Sequence, residues 1–112
     1  MPIPDPLLPT LRAALARIVP ADQDPGAVEL GAEAFIQERI AENPDLQVVY
    51  ERGLSALQEN GFDNLTSEEQ DQMLRDFEDR YPEFMPVIAA HAVEVVYTQP
   101  AGFKMVGFEV TL

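Results

Sequence analysis

Proline and glycine divide this sequence into short segments, and this division constrains the fold more than any other feature. The chain holds ten prolines and six glycines among its 112 residues. Between them, apolar residues recur three or four positions apart, which is the spacing of one face of an α-helix. Proline disfavours helix in the residue before it, and glycine ends many helices. The sequence therefore predicts several short helices rather than a few long ones.

Local signals place the ends of five helices. Thr10 is predicted to cap the first helix, which stops before Pro20, and Thr66 with Glu69 forms a capping box that opens the fourth. After Pro100 the tail is rich in aromatic and β-branched residues, which is typical of extended chain. The segments predicted as helical are approximately 10–19, 27–42, 44–60, 66–80 and 82–97. We therefore predict an all-α bundle of four or five helices with a short extended C-terminal tail.

The length of the chain suits one domain with one core. Four prolines fall within the first nine residues, and they set this stretch apart from the helices that follow. We therefore predict a proline-rich N-terminal arm over residues 1–9 and a single helical domain over residues 10–112.

The predicted third helix carries a glycine inside its apolar face. Apolar side chains fall within one arc of about 160° on this helix. They are Leu46, Val49, Tyr50, Leu54, Ala56 and Leu57, and Gly53 lies among them. A glycine inside a helix costs about 1 kcal/mol relative to alanine. We expect that a crossing helix brings its backbone close to Gly53 and compensates for this cost.

The predicted fourth and fifth helices differ in their polar residues. The fourth has one narrow apolar stripe surrounded by acidic residues, which is typical of a surface helix. The stripe consists of Met73, Leu74, Phe77 and Tyr81. The fifth has no charged side chain between Phe84 and Val93, so it is apolar nearly all round. Such a helix is expected either at the centre of the bundle or under a partner protein.

Charge and composition exclude several classes of function. Seven basic and 20 acidic residues give a net charge of −13, which repels phosphate backbones and anionic lipids, so we expect no nucleic-acid partner. The chain has no cysteine and one histidine, which excludes disulfides, thiolate metal sites and multi-histidine sites. No stretch approaches the roughly 18 apolar residues of a membrane-spanning helix, so no direct membrane insertion is expected. No glycine-rich phosphate-binding motif is present, and we predict no cofactor in this chain.

Two charged or titratable residues lie on apolar helix faces. His91 projects beside Phe84 and Ile88, with Glu94 three residues later as a candidate contact. We interpret His91 as a packed or interface histidine ahead of a proton-transfer role, because a general base also needs an orienting carboxylate and a nucleophile nearby. Arg39 lies on the apolar side of the second helix. It either extends past the end of the helix to solvent, or anchors an interface, or forms a buried pair with a carboxylate.

A calcium-loop pattern is incomplete in this chain. Asp22, Asp24 and Glu33 match positions 1, 3 and 12 of such a loop. The motif needs glycine at position 6, whereas here Gly26 holds position 5. Helix capping and solvation explain these acids better, so we predict no metal site.

The C-terminal tail adds apolar residues without a clear place in a helical bundle. A strand alone has unpaired edges, so the tail either lies across the bundle or pairs with another chain. Together with residues of the second and fifth helices, it defines a predicted partner interface. This interface consists of Arg39, Phe84, Ile88, His91, Phe103, Met105 and Phe108.

Several motifs in order resemble the gluconate 2-dehydrogenase subunit 3 family. The first is RIVPAD over residues 17–22 followed by Pro-Gly-Ala over 25–27, and the second is Phe35-Ile36. YERGLSAL over 50–57 is similar to the family's next helix. The closing pattern VYTQP over 96–100, with Gly102-Phe103 and VGF over 106–108, is also similar. The resemblance covers approximately residues 11–110.

The resemblance implies a small accessory subunit without flavin or catalytic residues. Such subunits accompany a large FAD-dependent oxidoreductase of the glucose-methanol-choline class that oxidises sugars or sugar acids, often with a c-type cytochrome subunit. They support maturation, stability and export of the large subunit. Family members commonly begin with a twin-arginine leader, which is not visible here, so the chain as written is expected in the cytoplasm. Periplasmic location, by export with a partner or after loss of a leader, is the alternative.

A second function is compatible with the composition. The net charge of −13 also suits a stand-alone acidic protein-binding module, or a homodimer, that attracts a basic partner.

Overall fold

The computed structural model describes residues 3–98, which form a bundle of five α-helices. Within this range there is no β-strand, and the predicted all-α class is confirmed. The predicted extended tail lies outside the described residues. The helices are α1 (Leu8–Ile18), α2 (Ala32–Glu42), α3 (Asp45–Glu59), α4 (Ser67–Arg80) and α5 (Phe84–Thr98), with short 3₁₀ turns at Asp5–Leu7 and Phe62–Asn64.

Helix α5, which has no charged side chain between Phe84 and Val93, lies at the centre of the bundle. It contacts each of α1, α2, α3 and α4. Its buried side chains are Phe84, Met85, Ile88, Ala92, Val95 and Val96. A helix that touches four others buries most of its circumference, which accounts for the apolar residues on its inner side.

The starts of α1 and α2 differ from those predicted. α1 begins at Leu8, directly after the first 3₁₀ turn, so the prediction that Thr10 caps it was wrong. Thr10 is buried inside the first turn, where its hydroxyl donates a hydrogen bond to Asp63 Oδ2 at 3.1 Å. α2 begins at Ala32, because Gly31 adopts a left-handed conformation with φ of 87° and interrupts the segment predicted to start at residue 27.

Residues 3–9 pack against the helical domain. Ile3 and Leu7 are buried in the same core as the helices. The Ile3 N–H donates a hydrogen bond to Gln37 Oε1 at 2.8 Å. The proline-rich segment therefore contributes apolar side chains to the bundle, and its last two residues already belong to α1.

The capping box of α4 is confirmed. The Glu69 N–H donates to the Thr66 hydroxyl at 3.2 Å, and the Thr66 N–H donates to Glu69 Oε1 at 3.0 Å. Hydrogen bonding to Thr66, mainly from its backbone N–H, lowers the pKa of the Glu69 carboxyl group below its usual range. Leu74 and Phe77 of the predicted stripe are buried, so α4 is a surface helix with one inner face.

Gly53 is in close contact with Phe84. The Phe84 ring lies directly over the glycine, and a Cβ atom at position 53 would overlap ring carbons more closely than any real Cβ contact. The same ring meets Tyr50 edge to face, with 5.9 Å between ring centroids. The predicted close approach from a crossing helix is thus present, but an aromatic ring makes it and not a backbone.

Candidate functional site

One side of α5 remains exposed, and that side is apolar. We call it the α5 outer face and define it as Pro86, Ala90, Val93 and Tyr97, which are spaced four, three and four residues apart. All four residues are exposed, with Val93 at 46% and Tyr97 at 45%. Single exposed apolar residues are common on proteins, but an aligned row without a charge is typical of an interaction surface.

An arginine links α2 to α5 beside this face. Arg39 Nη2 donates to Glu94 Oε2 at 3.0 Å, and Arg39 Nη1 donates to Glu42 Oε2 at 3.2 Å. Its guanidinium also lies 4.7 Å from the centroid of the Phe35 ring. The side chain is 39% exposed. The Arg39 guanidinium therefore lies over an apolar ring and pairs with two carboxylates at a partly exposed position, so the predicted alternative of a buried pair is wrong.

His91 packs between two aromatic rings in the same region. The Tyr50 hydroxyl lies 2.6 Å from His91 Nδ1, and the two rings stack with a centroid distance of 5.8 Å. Phe35 meets the imidazole edge to face at 6.1 Å. Burial raises the pKa of the Tyr50 hydroxyl, so this group keeps its proton and needs an acceptor. We therefore assign Nδ1 of His91 as the acceptor and Nε2 as the protonated nitrogen.

His91 has a lowered pKa, and its hydrogen-bond partner is a phenol and not a carboxylate. Burial lowers the pKa of His91, the Glu94 charge raises it and the Arg39 charge lowers it, with burial dominant. The Glu94 carboxylate accepts a hydrogen bond from Arg39, whereas the imidazole of His91 forms its hydrogen bond with Tyr50. In a catalytic triad, a carboxylate accepts a hydrogen bond from the imidazole and orients it as a general base. In this protein Nδ1 of His91 instead accepts a hydrogen bond from the Tyr50 hydroxyl. The arrangement fits a packed histidine.

The residues of the predicted interface occupy three different places. Phe84 and Ile88 are 2% and 0% exposed, so they form the inner side of α5. Arg39 and His91 are partly exposed and lie where α2 and α5 meet. The remaining three lie outside the described residues, and they are Phe103, Met105 and Phe108.

The α5 outer face was not predicted from the sequence, although a signal for it was present. At 100° per residue, Phe84, Ile88 and Val95 fall on one side of a helix. Positions 90, 93 and 97 then fall on the opposite side. Because the whole segment is apolar, its pattern does not show which side the bundle covers.

The acids of the incomplete calcium loop have other partners. Glu33 forms an ion pair with Arg12, and the Asp22 side chain accepts from the Asp24 N–H at 3.0 Å. Across residues 3–98, no three histidine or acidic side chains are grouped so that they could hold a metal ion. No helix in this part of the chain combines the length and the apolar composition needed to cross a membrane.

A family model matches almost the whole chain. The model for gluconate 2-dehydrogenase subunit 3 matches residues 8–109, a range that includes all five helices. The chain belongs to this family. Comparison with curated proteins and comparison with solved structures gave no match. The family name describes a subunit of a dehydrogenase, which is consistent with a chain that binds a larger partner.

Proposed function

We propose that this chain is a non-catalytic accessory subunit that binds and stabilises a large FAD-dependent dehydrogenase of sugars or sugar acids. The membership of the gluconate 2-dehydrogenase subunit 3 family supports a role as a dehydrogenase subunit. In this proposal the FAD and the catalytic residues belong to the large subunit. Where the complex contains a c-type cytochrome subunit, that subunit accepts the electrons.

The observation that carries the proposal is the α5 outer face. Its exposed residues present methyl groups and an aromatic ring on a helix that the rest of the bundle holds firmly in place. A preformed apolar surface loses little conformational freedom on binding, and aromatic residues contribute strongly at the centres of interfaces. Tyr97 and Val93 are therefore the proposed central contacts with the dehydrogenase.

The Arg39 network supports the same surface. Glu94 directly follows Val93 in α5, and its ion pair with Arg39 places charged groups at the border of the apolar row. Protein interfaces commonly combine an apolar centre with a polar rim. In the proposed complex, the pair of Arg39 and Glu94 belongs to that rim.

Co-expression followed by size-exclusion chromatography tests this proposal. The chain is produced together with flavin-dependent dehydrogenases from the same genome, and the flavin absorbance identifies fractions that contain the large subunit. We expect the chain to elute with one of these flavoproteins. Separate elution of two stable proteins would contradict the proposal, and elution of the chain as a homodimer would favour the alternative of a stand-alone acidic module.

A pair of matched variants tests whether the α5 outer face makes the contact. Val93→Glu adds one negative charge to the outer face, whereas Gln72→Glu adds one to the exposed side of α4. Burial of an unpaired carboxylate is unfavourable, so we expect Val93→Glu to weaken the complex about tenfold or more. Gln72→Glu should bind as the wild type does. Equal binding of both variants would place the interface elsewhere.

A further inference from the structure

A small cleft lies where the loop between α4 and α5 meets α3. Its volume is about 270 Å³. This is larger than an apolar cavity of about 150 Å³ that holds benzene, and it is smaller than most sites for drug-sized ligands, which begin at about 300 Å³. The lining residues are Val49, Arg52, Gly53, Arg80, Tyr81, Pro82, Glu83 and Phe84. The cleft therefore suits a ligand or side chain of about six to ten non-hydrogen atoms.

The two arginines of this cleft differ from the paired arginines of the protein. Arg12, Arg17 and Arg39 each form an ion pair with a carboxylate. Within residues 3–98, neither Arg52 nor Arg80 has a carboxylate oxygen within 4.0 Å, although the chain carries 20 acidic residues. Within the same residues Arg75 likewise has no carboxylate oxygen this close, and the Arg80 guanidinium lies 5.8 Å from the centroid of the Phe77 ring. What sets the cleft apart is that two arginines without an ion pair line the same concave site.

The charges and the walls of the cleft point to one kind of ligand. Two arginines and a single acid, Glu83, line it, so positive charge predominates there. Guanidinium groups bind carboxylates through charge-assisted hydrogen bonds. The remaining walls are mainly apolar and aromatic, with Val49, Tyr81 and Phe84 among them.

We propose that this cleft binds a carboxylate that is attached to a short apolar body. Arg52 and Arg80 bind the carboxylate, and the apolar body packs against Val49 and Tyr81. Such a group occurs in free aliphatic acids and at the C-terminal end of a polypeptide with an apolar last residue. The site is separate from the α5 outer face, so this proposal does not depend on the identity of the dehydrogenase.

Titration of the full-length chain with hexanoate tests the proposal. Nuclear magnetic resonance of the ¹⁵N-labelled chain follows the backbone amides around the cleft and the arginine Nε–H groups. We expect saturable shifts at Arg52, Arg80 and Phe84. Hexanamide has the same apolar body without the charge, and we expect it to bind about tenfold more weakly or not at all. Equal binding of the two compounds would overturn the proposal.

Three variants distinguish the cleft from a general electrostatic effect. Arg52→Gln combined with Arg80→Gln should weaken hexanoate binding about tenfold or more. Arg75→Gln removes an exposed arginine of α4 that does not line the cleft, and it should bind as the wild type does. Glu83→Gln removes the single acid of the cleft and should tighten binding about threefold. Circular dichroism confirms that each variant is folded, and equal weakening by Arg75→Gln would contradict a specific site.

Two further ligands identify the source of the carboxylate. Gluconate is a six-carbon acid whose chain carries hydroxyl groups, and we expect it to bind more weakly than hexanoate because it has no apolar body. Tighter binding of gluconate would overturn the apolar part of the proposal. A short peptide with a C-terminal leucine carboxylate that binds more tightly than hexanoate would identify a chain end as the ligand, and the reverse order would identify a free acid. In either case the corresponding amide should bind at least about tenfold more weakly than the acid.

Discussion

α4 and α5 are neighbours in the bundle, but their outer sides have opposite chemistry. Both bury phenylalanine and aliphatic residues on their inner sides. The outer side of α4 carries acids, namely Glu68, Glu69, Asp76, Glu78 and Asp79. The outer side of α5 carries the apolar row that ends with Val93 and Tyr97. Water hydrates the acidic outer side of α4 favourably. Hydration of the apolar outer side of α5 is unfavourable, so contact with another apolar surface lowers the free energy.

Inner packing alone therefore does not explain the composition of α5. A helix that had only to fill the core could have polar residues on its outer side, as α4 does. The absence of charge from Phe84 to Val93 extends around both sides of α5. Substitutions on each side separate the folding role of the inner side from the proposed binding role of the outer side.

The largest expected effect concerns the contact between α3 and α5. Gly53→Leu places a side chain in the volume that the Phe84 ring occupies, so we expect the free energy of unfolding to fall by about 4 kcal/mol. Urea denaturation followed by circular dichroism measures this change. Val48→Leu, at an exposed position of the same helix, is the control and should stay within about 0.5 kcal/mol. A comparably small change for Gly53→Leu would show that the ring does not pack on this glycine.

The second prediction compares the two sides of α5 directly. Ile88→Ala removes a fully buried side chain and should lower the free energy of unfolding by about 3 kcal/mol. Val93→Ala removes a comparable apolar group from the exposed side and should change it by less than about 0.5 kcal/mol. The same denaturation measurement applies to both variants. Similar losses would mean that the outer face is covered within the isolated chain.

The third prediction concerns local stabilisation of α4. Thr66→Ala removes the hydroxyl that accepts from the Glu69 N–H, and it should lower the free energy of unfolding by about 1 kcal/mol. Thermal denaturation at neutral pH provides the measurement. Ser67→Ala, one residue later and exposed, is the matched control and should have a much smaller effect. An equal loss of stability in both variants would show that the Thr66 hydroxyl bond does not stabilise α4 specifically.

The smallest expected effect is a pH dependence at the junction of α3 and α5. The pKa of His91 lies below its ordinary value of 6.5 in the folded chain, because burial disfavours the imidazolium. The unfolded chain therefore binds a proton more readily, and stability falls as the pH decreases below about 6.5. His91→Gln lacks this titration. Between pH 7.5 and 5.5 the urea midpoint of the wild type should decrease more than that of the variant, and an equal decrease would contradict the burial of His91.

The correctly predicted parts of the fold depend on residues close together in the chain. Thr66 and Glu69 are three positions apart, so their capping box is evident from the sequence alone. The stripe of α4 and the apolar arc of α3 follow from helical periodicity for the same reason. The order of motifs was likewise sufficient to indicate the family that the family model confirms.

The missed features depend on partners far away in the chain. Thr10 was predicted as a cap from its neighbours, but its hydroxyl bonds with Asp63, 53 residues away. Glu94 was expected to contact His91 on its own helix, but it bonds with Arg39, 55 residues away. In both cases the sequence offered a partner nearby in the chain, whereas the folded chain brings a distant residue within hydrogen-bond distance. Sequence periodicity contains no information about such choices.

Three properties follow from the amino-acid order alone: the chain forms short helices, the fifth is too apolar to be an ordinary surface helix, and the surface elsewhere is strongly acidic. They result from local backbone preferences and from side-chain hydration, which act on each segment separately. The packing of the helices settled the rest, namely which side of α5 faces the core, that Phe84 covers Gly53, and that Arg52 and Arg80 line one cleft. Burial and ion pairing depend on how the helices are positioned relative to one another. A helix with apolar residues on all sides carries no pattern that shows which side faces the core.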